Sequence, residues 1–381
     1  MRIGMVLSGL TGKARRAGVA RYAHCLLSAL AQVDDRNSYA LFLHPHNARD
    51  FAHLPARWRR VVLPLPRPEA RYLEQIVLPP LLYGSRLDVV HYPVLAPALA
   101  YGGPSVVTVH DLTNQLFPRR ADLRSWIYYR HVLRMGASRA SSVIAVSRNT
   151  RDDIIRLWGL AHERVEVIYE AASPAFDGQP ARPSRAEERY FLAVGTVEPN
   201  KNFARLLKAY AAARRRLPDD TALVVVGQPG WQYDGLLRST RELGLNGSVR
   251  FIGHVPDVEL ADLYSGALAF VYPSLYEGFG LPPLEAMACG APVIASRASS
   301  LPEVVGEAGL MVDPLDVEDI AAAMVRVASD PALREAMRSA GRARARRFSW
   351  EECARRTLAV LEAAANGASL PRAPESGRRA A

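Results

Sequence analysis

Two carboxylates eight residues apart, Glu277 and Glu285, bracket the stretch P-S-L-Y-E-G-F-G-L-P-P-L-E-A-M-A-C-G-A-P from Pro273 to Pro292. Between them stand a glycine-rich turn, Gly278-Phe279-Gly280, and a helix start at Leu281-Pro282-Pro283. Proline suits the first turn of a helix, where its missing N–H has no intrahelical acceptor to lose. The spacing therefore puts Glu277 in the loop before a helix and Glu285 about one turn inside it. Unpaired N–H groups at such a start, with the positive end of the helix dipole, attract a phosphate. The backbone N–H groups of Phe279, Gly280 and Leu281 are the expected contacts, and glycine at 278 and 280 permits the close approach. A carboxylate, an anion cradle and a second carboxylate in one segment fit a sugar joined to a diphosphate.

The elements that must position this segment are legible as alternating short apolar runs and amphipathic stretches. In the first half, strands are expected at Ile3–Leu7, Tyr39–Leu43, Val61–Leu65, Val89–Tyr92, Val106–His110, Val143–Val146 and Val165–Ile168. Helices are expected between them at Val19–Ala31, Arg71–Tyr83, Leu123–Ala137 and Arg148–Leu157. Continuous Val/Ile runs joined by helices predict a parallel sheet covered on both faces. Strands at Tyr190–Val194, Leu223–Val226, Val249–Ile252, Ala269–Tyr272, Pro292–Ala295 and Leu310–Val312 repeat the pattern. The fold class is therefore α/β, with two doubly wound domains over residues 1–172 and 189–347 and a Pro/Ala/Ser/Arg-rich linker over 173–188. A helix over 348–365 follows, and residues 366–381 read as a disordered tail. Two such domains facing each other would bring the carboxyl ends of both sheets to one cleft.

Composition narrows the partners. The 381 residues carry a formal net charge of +10, with 49% hydrophobic and 23% charged residues. The charge fits a solvated arginine-rich surface, or attraction to an anionic membrane leaflet or a diphosphate-linked acceptor. No zinc pattern, RNA-recognition signature or helix-turn-helix speaks for nucleic acid. The run Phe117 to Arg139 mixes arginines with aromatic and aliphatic residues and reads either as a membrane-surface helix or as a core helix with solvated arginines. No apolar run has transmembrane length and no secretory leader is evident, so a cytoplasmic location is expected, with the inner face of the membrane as its refinement. Cys25, Cys289 and Cys353 lack metal or redox spacing and are expected to fill interfaces. Gly9, Gly12 and Gly18 fit neither a dinucleotide fingerprint nor a Walker lysine loop.

Breaking a sugar–diphosphate bond leaves negative charge on the diphosphate, which fixed positive groups must meet. No Asp-x-Asp motif for a metal occurs in the chain, so a side chain or helix terminus is expected to do so and no metal or other cofactor is expected. Lys201, between a strand and a helix after the turn Gly195 to Asn200, is the candidate cation.

The pattern Glu277-Gly278-Phe279-Gly280 through Glu285-Ala286-Met287-Ala288-Cys289-Gly290 resembles the signature of the retaining nucleotide-sugar glycosyltransferases of family 4. The runs Val194 to Asn202 (V-G-T-V-E-P-N-K-N) and Ser299 to Gly309 (S-S-L-P-E-V-V-G-E-A-G) are similar to the branch with bacterial mannosyltransferases of O-antigen and exopolysaccharide synthesis. The resemblance implies the GT-B fold and a helix over 348–365 that crosses back to the first domain. It places Lys201 on the donor diphosphate, Glu277 on the donor sugar and Glu285 on the ribose, and puts Thr196 and Asn202 in the donor-binding set. Thr196 stands where many members have an arginine. Gly18, in Gly18-Val19-Ala20-Arg21-Tyr22, resembles the family's glycine-rich loop, with Ala20 replacing one glycine. His110, in V-T-V-H-D-L, corresponds to a histidine near the donor sugar and is read as a hydrogen-bond donor, with Asp111 secondary. The base is expected near Gly253 and His254, where a structural role for His254 stays open. Ser147 reads as a helix N-cap.

The resemblance implies a metal-independent transfer of a hexose, GDP-mannose being the favoured donor, to a cell-surface polysaccharide or lipid-linked glycan. A UDP-sugar donor stays open within the family. From other classes, a UDP-N-acetylglucosamine 2-epimerase-like enzyme and a non-catalytic sugar-nucleotide-binding protein remain alternatives.

Overall fold

The computed structural model describes residues 1–11, 18–65, 71–94, 97–117, 128–176, 189–230, 233–368 and 370. The chain divides into two compact units, Met1–Tyr169 with Trp350–Ala381, and Glu170–Ser349.

The first unit is built on seven parallel strands, β1 (Arg2–Val6), β2 (Ser38–Leu43), β3 (Arg59–Val62), β4 (Val89–Tyr92), β5 (Ser105–Val109), β6 (Ser142–Ala145) and β7 (Val165–Val167), in the order β3-β2-β1-β4-β5-β6-β7. The order reverses between β1 and β4, both of which pair with each other along Ile3↔Val89 and Met5↔His91. Successive side chains of a strand alternate between faces. Accordingly Ile3 and Met5 join one core layer, with Leu26, Leu27 and Leu30 of the helix Gly18–Val33, while Val6, Phe42 and Val90 join the other, with Leu78 and Leu82 of the helix Arg71–Gly84. The helix Trp350–Ala365 belongs to this unit: Cys353, Ala354, Leu361 and Ala364 are buried in the layer that contains Leu26 and Leu30.

The second unit repeats the plan with β8 (Tyr190–Val194), β9 (Ala222–Val226), β10 (Val249–Gly253), β11 (Ala269–Tyr272), β12 (Val293–Ser296) and β13 (Leu310–Val312), all parallel, in the order β10-β9-β8-β11-β12-β13. Its reversal lies between β8 and β11. Phe191, Val225, Val271 and Ile294 pack under Leu206 and Tyr210 of the helix Phe203–Arg214 and Ile320 and Met324 of the helix Val317–Ser329. In open parallel sheets the reversal point opens a crevice beyond the carboxyl ends of the two strands that flank it. The turns after β8 and β11 are thus where this unit can hold a ligand.

Several boundaries differ from expectation. β3 is an edge strand ending at Val62, which is 49% exposed, and the ladder gives way to single bonds such as Leu63 N–H to Leu43 O. β5 ends at Val109, so His110 is the first residue beyond the strand rather than its last. Of the expected helix Leu123–Ala137, the part before Tyr128 lies outside the described residues; Tyr128–Leu133 forms a π turn and Arg134–Arg139 an α-helix. The first residues assigned to the linker are packed: Pro174–Phe176 forms a short 3₁₀ turn, and the buried Phe176 ring meets Tyr264 edge-on. The rest of the expected linker, and most of the tail, fall outside the described residues. Ser147 caps the helix Arg148–Trp158, accepting from Thr150 N–H at 3.0 Å.

Candidate functional site

The turn after β8 runs through Gly195 to a single 3₁₀ turn, Pro199–Lys201, and then into the helix Phe203–Arg214. Asn202 joins the two in the left-handed conformation, φ 60°. Its side-chain amide donates to Pro273 O at 2.9 Å and Pro314 O at 2.7 Å, and its Oδ1 accepts from Arg205 at 3.0 Å. Asn200 completes the join: its carbonyl accepts from Leu275 N–H at 2.7 Å and its amide donates to Tyr276 O at 3.2 Å. Asparagine suits this task because it tolerates positive φ and carries donor and acceptor together. The two asparagines thus fasten the turn after β8 to the turn after β11.

Between these turns the structure brings Lys201 and Glu277 together, a contact that spacing alone could not show. Lys201 Nζ lies 2.7 and 2.8 Å from the Glu277 carboxylate oxygens and 2.7 Å from the Tyr272 hydroxyl. The side chains of Lys201 and Glu277 are only 17% and 12% exposed, so solvent screens the pair weakly. Burial works against the ammonium's charge, but Glu277 and Tyr272 more than offset it and hold its pKa above the usual lysine value. Burial first, with Glu277 beside it, raises the Tyr272 phenol above its ordinary value.

The Glu277 backbone is clamped from the turn after β12. Ser299, itself at φ 58°, accepts from Glu277 N–H at 3.1 Å and donates to Glu277 O at 2.5 Å. Ser300 donates to Glu277 O at 3.0 Å and to Phe279 O at 2.6 Å. Gly280 then opens the helix Leu281–Ala288 at φ 118°, where a Cβ would also meet Leu301 at 2.9 Å. Pro282 and Pro283 have no N–H, so the amides at the opening of this helix are those of Phe279, Gly280 and Leu281. Glu285 stands one turn inside the helix, as its spacing predicts, and is 1% exposed. With Asp262 it adds to burial in pushing the Cys289 thiol up to about 12, which leaves that cysteine inert.

Other expected residues are placed less tightly. Thr196 is exposed in the turn after β8. Gly253, at φ 73°, ends β10 and accepts from Gly227 N–H at 2.8 Å, and the following His254 is exposed. Gly227 itself allows no side chain: a Cβ would sit 2.0 Å from Gly195 O.

In the first unit, Gly18 is the first residue of the helix Gly18–Val33, and residues 12–17 before it lie outside the described set. His110 lies past β5, where Nε2 donates to Pro93 O at 2.8 Å and the ring meets Tyr22 edge-on at 4.6 Å. A carbonyl only accepts, so Nε2 carries the proton. Asp111 accepts from Thr113 N–H at 2.8 Å and so shapes the following turn. Beneath His110, His91 is fully buried with Nε2 2.9 Å from Thr108 Oγ1; burial, then the nearby His110, lowers its pKa to about 3.

Tyr272, Ser299, Ser300 and Asn200 are the site residues that residue-type reasoning missed. Tyr272 reads as an ordinary apolar strand residue; the serines and Asn200 lie inside runs noted for resemblance, without a task assigned. Asn202, expected in the donor-binding set, has both amide hydrogens bonded within the protein, to Pro273 O and Pro314 O, and holds the turn in place. Among the described residues no group of three or more His, Cys, Asp or Glu could hold a metal, and no helix is long and apolar enough to cross a membrane.

Comparison with known proteins agrees with this architecture. The family described as "Glycosyltransferase Family 4" matches residues 16–176, and "Glycosyl transferases group 1" matches residues 178–344. The chain is 38% identical over 268 residues to O-antigen chain mannosyltransferase B of Escherichia coli, covering 67% of this chain and 69% of that one. It is 32% identical over 305 residues to glycogen synthase of Mycobacterium tuberculosis, covering 75% and 71%. Among solved structures, sucrose-phosphate synthase from Thermosynechococcus elongatus shares the fold with a TM-score of 0.74 at 23% identity, over 94% of this chain and 97% of that one. Two doubly wound units, a lysine and a glutamate meeting at a sheet reversal, and these matches make the chain a GT-B glycosyltransferase of family 4.

Proposed function

We propose that this glycosyltransferase is a retaining, metal-independent mannosyltransferase that takes mannose from GDP-mannose and extends a cell-surface polysaccharide or lipid-linked glycan. The observation that carries the proposal is the Lys201 ammonium held at the β8/β11 reversal by Glu277 and Tyr272. Negative charge developing on a departing diphosphate needs prepositioned positive groups. In this reading Lys201 and the amides of Phe279, Gly280 and Leu281 supply them. The diphosphate takes over part of the ammonium's attention from Glu277, whose released oxygen then accepts from a sugar hydroxyl. Glu285 accepts from the ribose diol, and Thr196, Gly253 and His254 border the nucleotide. The choice of mannose rests on similarity to O-antigen chain mannosyltransferase B.

We place the enzyme in the cytoplasm at the inner membrane face. Leu73, Ile76 and Tyr83, 45%, 68% and 56% exposed along the helix Arg71–Gly84, support a peripheral contact there. A second donor reading, a glucose nucleotide such as UDP-glucose, is favoured by the similarity to a glycogen synthase.

Thermal-shift measurement with GDP-mannose, UDP-glucose and related donors, without added metal, tests both readings, followed by product analysis. Stabilisation and turnover with GDP-mannose support the first, and with UDP-glucose the second. Stabilisation by neither overturns the donor assignment, and turnover lost on EDTA treatment overturns metal independence.

A further inference from the structure

An ammonium has three N–H donors, and at Lys201 three oxygens receive them: Glu277 Oε1 and Oε2 at 2.7 and 2.8 Å, and the Tyr272 hydroxyl at 2.7 Å. A diphosphate reaches Nζ only if one of the three gives way. The candidates differ in footing. Glu277 sits in a loop, and its negative charge opposes an arriving diphosphate. Tyr272 ends β11, is 2% exposed, and its ring stacks on Phe270 with centroids 5.4 Å apart. Its hydroxyl accepts from the ammonium without adding charge, and burial together with Glu277 keeps the phenol protonated.

We propose that Tyr272 is a positioning residue, whose hydroxyl anchors the Lys201 ammonium while it passes from Glu277 to the diphosphate of the nucleotide-sugar. This rests on the reading of Lys201 as the diphosphate's cation. Remove the hydroxyl, and the ammonium settles on Glu277 alone, so the ligand must compete with an undivided ion pair.

The test is calorimetric binding of GDP, GMP, UDP and UMP to the full chain without metal, for wild type, Tyr272→Phe and Lys201→Ala, with KM and kcat for the preferred donor. The phenyl ring keeps the packing and loses only the hydroxyl. Tyr272→Phe is expected to weaken diphosphate binding about tenfold, the scale of one charge-assisted hydrogen bond, and to leave monophosphate binding and Tm unchanged. KM for the donor rises in proportion. Equal loss for diphosphate and monophosphate, or no loss for either, overturns the inference. Should Lys201→Ala bind the diphosphate as wild type does, the reading of Lys201 fails and this inference with it. Should Lys201→Ala lose the preference for diphosphate while Tyr272→Phe keeps it, only the Tyr272 inference fails. If Tyr272→Phe lowers Tm, 3,5-difluorotyrosine at position 272 keeps the ring in place and weakens the oxygen as an acceptor. A fall in the diphosphate-to-monophosphate ratio then supports the inference, and an unchanged ratio overturns it.

Discussion

The two units share one plan and differ in what they put at its reversal point. Beyond β8 and β11 lies a weakly screened ion pair whose backbone is held by Asn200, Asn202, Ser299 and Ser300. Beyond β1 and β4, among the described residues, Asn47 donates to Leu7 O at 2.7 Å, His110 to Pro93 O at 2.8 Å, and the Ser8 hydroxyl to the buried carboxylate of Glu74. Sheet order says where a ligand can sit; the turns decide its chemistry. A clamped cation suits a charged group of fixed shape.

The largest expected effect lies in the second unit. Lys201→Ala should lower transfer about 10²–10³-fold, the range for removing a group that stabilises charge in a transition state. A steady-state assay with donor in excess measures it, and a loss under threefold would erase the contrast between the units. Next comes the clamp: Asn202→Ala leaves Pro273 O and Pro314 O without their donor and should destabilise the second unit by about 2–3 kcal/mol, read from its calorimetric transition. An unchanged transition would mean that the ion pair does not need its frame.

The first unit has its own sensitivity, to acid. His91 is neutral when folded, with a pKa of about 3, against about 6.5 when unfolded. Between these values the unfolded chain binds a proton that the native chain does not, so stability is complete above the unfolded value and falls as pH drops toward the folded one. The slope should be about 1.4 kcal/mol per pH unit, or roughly 2 kcal/mol lost from pH 6.5 to 5. Calorimetry at those pH values should show the first unit's transition moving down, and His91→Gln should flatten the dependence. The smallest effect is expected for His110→Ala, about tenfold or less on transfer, with nucleotide binding unchanged, since one neutral hydrogen bond is at stake. A loss as large as that of Lys201→Ala would make the first unit an equal partner in the chemistry.

Much of the fold was legible because buried parallel strands read as Val/Ile runs with little else competing, as in β5, β9 and β11. The errors cluster where that signal thins. β3 begins with two arginines and lies at an edge, so its apolar residues misplace its limits. A π turn at Tyr128–Leu133 carries no periodicity of its own and reads as plain helix. At the site, Lys201, Glu277 and Glu285 stood out because charge at a strand-to-helix junction has few structural uses. Their pairing did not, because residues 76 positions apart declare no contact. Tyr272 stayed hidden because a strand tyrosine looks like core until its hydroxyl is seen to have a partner. The part Asn202 plays in the frame was equally hidden, because its bonds to Pro273 and Pro314 join residues 71 and 112 positions apart.

The helix Trp350–Ala365 has a consequence for the order of assembly. Its Cys353, Ala354, Leu361 and Ala364 fill a layer whose other walls are encoded before residue 170. On the ribosome, domains ordinarily mature from the amino end onward. Here the amino-terminal unit waits for its final piece while the unit encoded in between, Glu170–Ser349, already has all its strands. The nascent chain therefore carries an open apolar groove while residues 170–349 are being translated, and the helix Trp350–Ala365 closes it.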